Sequence, residues 1–177
     1  MDAEVADVTA SGMTGQGSGW ALRPAVEADV EVIADLRAVV MRADLERLGR
    51  YDEHRVRQRF RDSFSARYTS VITVDGEDEE DDEPVGCVTV RPADGGRLLE
   101  HFYLAPHCQG RGLGSDVLRA VLEGADARGL TVRLNVLQGS AARRLYERHG
   151  FVVESEDPVD VFMVRLPEAG AASTPAR

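Results

Sequence analysis

Apolar positions along the chain follow two periods, and the switches between them mark out the elements. Trp20 to Arg23 reads as a short strand stopped by Pro24. Val32, Ile33, Leu36, Val39 and Val40 then trace one face of a helix, with Asp29 placed to cap it. Met41 to Tyr51 breaks at Gly49, and Asp52 can cap a second helix with Val56, Phe60 and Phe64 on its apolar face. Its other face carries Arg55, Arg57, Arg59 and Arg61, which is expected to be solvated. Tyr68 to Val74 and Val85 to Arg91 are rich in β-branched residues and read as a hairpin. Asp94-Gly95-Gly96 turns the chain into a strand from Leu98 to Ala105. A helix follows, starting near Ser115, with Val117, Leu118, Val121, Leu122 and Ala125 on one face and Gly129 at its end. Thr131 to Val136 is the next strand, and a helix capped by Ser140 runs to Gly150. Phe151 to Glu154 and Val159 to Leu166 are the last two strands, joined by an acidic turn.

The order is therefore β-αα-β-β-β-α-β-α-β-β. It predicts an α/β protein with a mixed central sheet of about seven strands flanked by four helices. The segment from Leu98 to Val136 is a parallel crossover, expected to be right-handed. Residues 1–19 and 167–177 lack periodicity and are expected to be flexible tails around one domain, residues 20–166.

Charge narrows the choice of partners. The net charge is −10, but the run from Asp75 to Glu83 alone holds eight acidic residues. Without it the domain is close to neutral, so no basic face for nucleic acid is expected. The run falls in the hairpin loop, where a solvated segment is tolerated. No apolar run approaches the length of a membrane span, and the N-terminus has neither the basic nor the apolar region of a secretory signal. With only two cysteines, Cys87 and Cys108, no disulfide framework is expected, and a cytoplasmic protein without a metal site is the reading.

The candidate chemistry centres on Gln109, Gly110, Arg111, Gly112, Leu113 and Gly114, a glycine-rich loop between a strand and a helix. Glycines let backbone amides approach a ligand closely, and the helix start adds unpaired amides and a positive dipole end. Such a loop suits a phosphate or pyrophosphate. A P-loop would end Gly-Lys-Ser/Thr, which is absent here. A dinucleotide fingerprint would need glycine at position 115, where Ser115 stands, and an acidic residue ending the next strand, which ends Leu134-Asn135-Val136. A third pattern, Q-x-x-G-x-G, fits through Gln109, Gly112 and Gly114.

That loop resembles the acetyl-CoA loop of the GNAT (Gcn5-related) N-acetyltransferases. A second motif stands in the expected place: Leu145-Tyr146-Glu147, then Gly150-Phe151, on the helix after the following strand. The resemblance spans about Trp20 to Leu166 and implies a GNAT-like fold. It implies transfer of an acetyl group from acetyl-CoA to a primary amine, on a small molecule or a peptide, by direct attack in a ternary complex. It further implies that backbone groups of Phe102, Tyr103 and Leu104 pair with the pantetheine arm, and that Gln109, Gly110, Arg111, Gly112, Leu113, Gly114 and Ser115 hold the phosphates. Gly139 and Ser140 stand where many members place an Asn, and Asn135 comes earlier, so that cofactor contact falls among these residues. Tyr146 matches the tyrosine near the cofactor sulfur and is the candidate general acid.

Glu100 is the candidate general base, since a mid-strand carboxylate is costly unless used or paired. Its neighbour His101 is expected on the opposite face of the strand, and His101 and His54 are reserve bases. Asp44, Glu46, Asp52 and Glu53 could attract a cationic acceptor. Two alternatives stay open: another acyl group, or a sensor that binds acyl-CoA without turnover. An edge strand near the C-terminus could pair two copies into a homodimer.

Overall fold

The computed structural model describes residues 19–75 and 84–168. The expected tails fall outside them, apart from Gly19, Pro167 and Glu168, as does the acidic run after Asp75. Seven strands form one sheet: β1 (Trp20–Pro24), β2 (Thr69–Val74), β3 (Gly86–Ala93), β4 (Gly96–Leu104), β5 (Thr131–Leu137), β6 (Val152–Glu156) and β7 (Asp160–Arg165). Their order is β1-β2-β3-β4-β5-β7-β6. Helices α1 (Val30–Val40), α2 (Arg42–Arg47) and α3 (Glu53–Ser63) lie between β1 and β2, while α4 (Leu113–Asp126) and α5 (Ala142–Arg148) precede and follow β5. The sheet is mixed, as expected, because β4–β5 is the one parallel pair among the six.

Strand alternation divides the core into layers. Ile72, Leu99, Leu118, Leu122 and Leu134 belong to a large cluster with α4, against which Phe102 and Leu104 pack. Val71, Cys87 and Tyr103 belong to a second cluster with Ile33 and Ala34 of α1 and Phe60 of α3. A third cluster joins Ala38, Leu45 and Val56, with Leu137 packed against it.

Two local expectations are corrected. The buried face of α1 is Ile33, Ala34, Arg37 and Ala38, while Val32 and Val39 are exposed. Small alanines let the helix pack closely, and that outweighs the larger side chains which set the sequence pattern. Asp29 does not cap α1 with its side chain. It folds back to accept from Arg23 at 2.8 and 2.9 Å and from the Val26 amide at 2.8 Å, and the Arg23 guanidinium holds its carboxyl below the ordinary range. Asp52 does cap α3, accepting from the Arg55 amide at 2.8 Å.

A part-buried ion pair ties the C-terminal half together. Arg165 of β7 makes two bonds to Asp126 at the end of α4, at 2.7 and 2.8 Å, and donates to the His149 carbonyl beyond α5 at 2.9 Å. Without Asp126 the buried Arg165 would keep only the exposed Glu168, 3.3 Å away, as an opposing charge. Asp126→Asn should therefore cost about 2 kcal/mol of stability, read from the midpoint of urea denaturation at constant slope.

Candidate active site

The sheet opens where the sequence places its candidate chemistry. β4 pairs with β5 only through Gly96, Arg97 and Leu98, opposite Thr131, Val132 and Arg133. From Leu99 to Leu104, β4 has no strand partner on that side. Backbone groups that a continuous ladder would consume are left for a ligand.

On its other edge β4 pairs with β3 through a bulge. Thr89 faces Glu100 and Cys87 faces Tyr103, so β4 holds one residue more than β3 there. His101 absorbs the irregularity with φ at 47°, the left-handed region. The bulge overturns the expectation that Glu100 and His101 face opposite ways. Glu100 contacts Arg91 Nε at 2.8 Å, and Arg91 donates to the Ser63 carbonyl of α3. His101 Nε2 meets the Oγ of the same Ser63 at 2.8 Å.

The bond partners of His101 fix its chemistry. Arg37 Nε donates to the Tyr103 hydroxyl at 2.9 Å, so the single Tyr103 proton is free to point at His101 Nδ1, 3.0 Å away. Nε2–H then donates to Ser63 Oγ, whose own proton reaches the Arg59 carbonyl at 2.7 Å. The imidazole is neutral with its lone pair occupied. Burial, followed by the charges of Arg37 and Arg91, lowers its pKa to about 4. In this tautomer His101 offers no free lone pair to the cleft. The unfolded chain binds that proton near the ordinary value of 6.5, so His101 costs stability as pH falls from 6.5 towards 4. Nitrogen-15 shifts of His101 should report the neutral Nε2–H form from pH 8 to pH ~5; protonation near 6.5 would refute this. His54, the other reserve base, is exposed at the start of α3 and off the cleft wall.

A cleft of about 1240 Å³ crosses the opening and meets most of the candidate residues. Glu100, Phe102, Tyr103, Leu104, Gln109, Gly110, Gly112, Gly114, Ser115, Asn135 and Tyr146 line it. Arg111 and Leu113 belong to the same loop but not to the wall, and Leu113 packs on the α4 core instead. Gly110 and Gly112 hold φ at 73° and 88°, and a Cβ at either would meet nothing within 4 Å. The amides from Gly110 to Ser115 have no backbone partner among the bonds outside helices and strands. Asp116 is the first to bond back, to the Gly112 carbonyl at 3.0 Å. That cradle of open space and unpaired donors fits a pyrophosphate. Gln109 braces it, donating to the Leu104 carbonyl at 2.8 Å.

The Tyr146 side chain is buried against Phe151, and among the described residues its hydroxyl has no hydrogen-bond partner. Burial raises its pKa, and the nearby Tyr103 adds to this, so Tyr146 holds its proton as a neutral phenol. Asn135 lines the cleft, but its amide donates to Asp160 at 2.9 Å. Ser140 Oγ accepts from the Ala142 amide at 3.3 Å.

The acids expected to draw a cationic acceptor are all engaged. Asp44 pairs with Arg47 at 2.7 Å, Glu46 with Arg42 at 2.8 Å and Glu53 with Arg57 at 2.9 Å, while Asp52 is the cap of α3. The arginines of α3 divide by helical period. Arg57 and Arg61 reach across to Asp35 and Glu31 of α1 at 2.6 and 2.8 Å, whereas Arg55 and Arg59 line the cleft. Sequence reasoning also missed Arg37, which is buried and lines the same cleft. Its spacing from Ile33 and Val40 was the available signal.

Residues 76–153 match a family model described as an acetyltransferase (GNAT) domain. No curated protein is a match to the chain. Solved structures share the fold. The paia N-acetyltransferase of Thermoplasma acidophilum, in complex with coenzyme A, superposes with a TM-score of 0.65 at 18% identity, over 84% of this chain and 99% of that one. An acetyltransferase from Thermus thermophilus gives 0.63 at 18% identity, over 84% and 97%. The ribosomal-protein-S18-alanine N-acetyltransferase of Escherichia coli gives 0.61 at 19% identity, over 86% and 97%.

Proposed function

The resemblance of this chain to the GNAT superfamily holds in sequence and in fold, and on that premise we propose that it is an acetyl-CoA-dependent N-acetyltransferase acting on a primary amine. The observation that carries the reading is the opened β4–β5 pair with the glycine cradle at its mouth. A crevice between parallel strands at their carboxyl ends is a common ligand position in α/β sheets. Here it comes with unpaired strand edge for amide groups and unpaired loop amides for phosphates.

Acetyl-CoA supplies an activated acyl thioester. In this reading the backbone of Phe102, Tyr103 and Leu104 aligns the arm that carries it, and a strand amide polarises the carbonyl. The amides from Gly110 to Ser115 receive the phosphates, with the N-terminus of α4 behind them. Glu100 takes the proton that the amine loses as the new C–N bond forms. Tyr146 gives its proton to sulfur as the C–S bond breaks. The position of Glu100 on the cleft and the unpaired, protonated hydroxyl of Tyr146 support these roles.

Calorimetry with acetyl-CoA, followed by a free-thiol assay against a panel of amines, tests the proposal. Binding with acceptor-dependent thiol release is expected. Binding without release from any amine would favour an acyl-CoA sensor, and absence of binding would remove the loop assignment.

A further inference from the structure

Three charged residues are buried among those described: Asp29, Arg37 and Arg165. Asp29 is matched by Arg23 and Arg165 by Asp126. Arg37 is the exception. It is 8% exposed, and its partners are the Tyr103 hydroxyl and the Val56 carbonyl, both neutral. No carboxylate lies within ion-pair distance of it among the described residues. A guanidinium removed from water without an opposing charge is expensive. It becomes reasonable when the opposing charge arrives with a ligand, and Arg37 faces a cleft through which one can arrive.

Two further arginines stand close by. Val56, whose carbonyl Arg37 grips, sits on α3 beside Arg55 and one turn before Arg59, and neither arginine has an ion-pair partner among the described residues. Each acid on the cleft wall has a partner within the protein, Glu100 being also the proposed base and Asp157 and Asp160 being held by neutral donors. Asp44 holds Arg47, Glu100 meets Arg91, Asp157 accepts from the Val159 and Asp160 amides, and Asp160 accepts from Asn135. Arg37 also lies away from the phosphate cradle. It bonds Tyr103 on the β4 face that packs on α1 and α3, while the glycine loop leads into α4 on the other face.

We propose that the acceptor is an anionic amine, whose oxyanion group is bound by Arg37 with Arg55 and Arg59 while its amine faces Glu100. The proposal rests on the acetyltransferase reading and gives it a substrate class: amines that carry a carboxylate or a phosphate-like group. Arginine forks match either oxyanion through two parallel hydrogen bonds. A site built around such a charge rejects the neutral isostere strongly, because the guanidinium is left buried and unmatched.

The test compares three matched acceptors at saturating acetyl-CoA: amino acids, the corresponding amino acid amides, and aminoalkyl phosphonates. Acids or phosphonates should exceed the amides by about 100-fold in kcat/KM, and which of the two leads identifies the oxyanion. Arg37→Gln also removes the bonds to Tyr103 and Val56, so the exposed positions carry the mutational arm. Arg55→Gln and Arg59→Gln should each raise the KM of the anionic acceptor about tenfold, with the KM of acetyl-CoA unchanged. Amides used as well as acids would overturn the proposal while leaving the acetyltransferase reading intact. A rise in the KM of acetyl-CoA instead would assign these arginines to the co-substrate phosphates and overturn it too. If acetyl-CoA binds and no amine turns over, titration of N-acetyl amino acids decides: binding weakened by Arg59→Gln supports the anion site, and equal binding rejects it. If acetyl-CoA does not bind, the acetyltransferase reading fails, and the same titration still judges the anion site.

Discussion

Tyr146→Phe should lower kcat by about 100-fold while changing acetyl-CoA affinity little. The phenol is held by packing and not by hydrogen bonds: it meets Phe151 at 5.7 Å between ring centres, and its hydroxyl has no partner among the described residues. Phenylalanine keeps the ring and the packing and loses only the proton donor. Because burial keeps Tyr146 protonated, the loss should be flat from pH 6 to pH 9 and should not follow an ionisation. It should also shrink with thioesters whose thiol is a better leaving group, since those need less help from an acid. Steady-state kinetics with calorimetry separates the two quantities. Full kcat in the variant would remove Tyr146 from the mechanism.

Glu100→Gln should reduce kcat/KM for the acceptor by about 10²- to 10³-fold near neutral pH, on the scale expected for losing a general base. The loss should narrow as pH rises towards the pKa of the acceptor amine, where solvent delivers the free base unaided. A pH profile of both proteins reads this directly. Glutamine keeps the size of the side chain but gives up the ion contact with Arg91, so Arg91→Gln is the control for position alone. That control should leave most of the pH dependence in place. A Glu100→Gln profile parallel to the wild type would assign the base elsewhere.

The fold was largely legible because its signals are local. Strand runs such as Thr69–Val74, the cap at Asp52 and the stops at Gly129 and Gly150 each declare themselves within a few residues. The phosphate loop was legible for the same reason. What escaped depends on tertiary fit. The bulge at His101 has no sequence mark, so strict alternation placed Glu100 and His101 on opposite faces. Arg37 sits on the buried stripe of α1, where an apolar count ignores it and ranks Val32 and Val39 above Ala34 and Ala38. Arg55 and Arg59 differ from Arg57 and Arg61 only in what lies opposite them. That α1 carries Glu31 and Asp35 towards one pair, and the cleft faces the other, emerges once the helices are packed.

The sheet can also be read as a hinge. Four antiparallel strands, β1 to β4, form one leaf, and β5, β7 and β6 form another; along the strands only three residue pairs stitch the leaves together. If the proposed co-substrate lays its amide-bearing arm in the gap, that arm takes the place of the missing ladder and becomes a temporary part of the sheet. Each leaf keeps its own hydrogen bonds, and the core beneath α4 packs across both. An arm bound there would join the leaves along a longer seam, and the cleft is lined by residues of both, Glu100 to Leu104 of β4 and Asn135 to Leu137 of β5. On that reading the acceptor pocket would take its final width once the acyl donor fills the seam, and donor first, acceptor second is the order that initial-rate and product-inhibition kinetics should show.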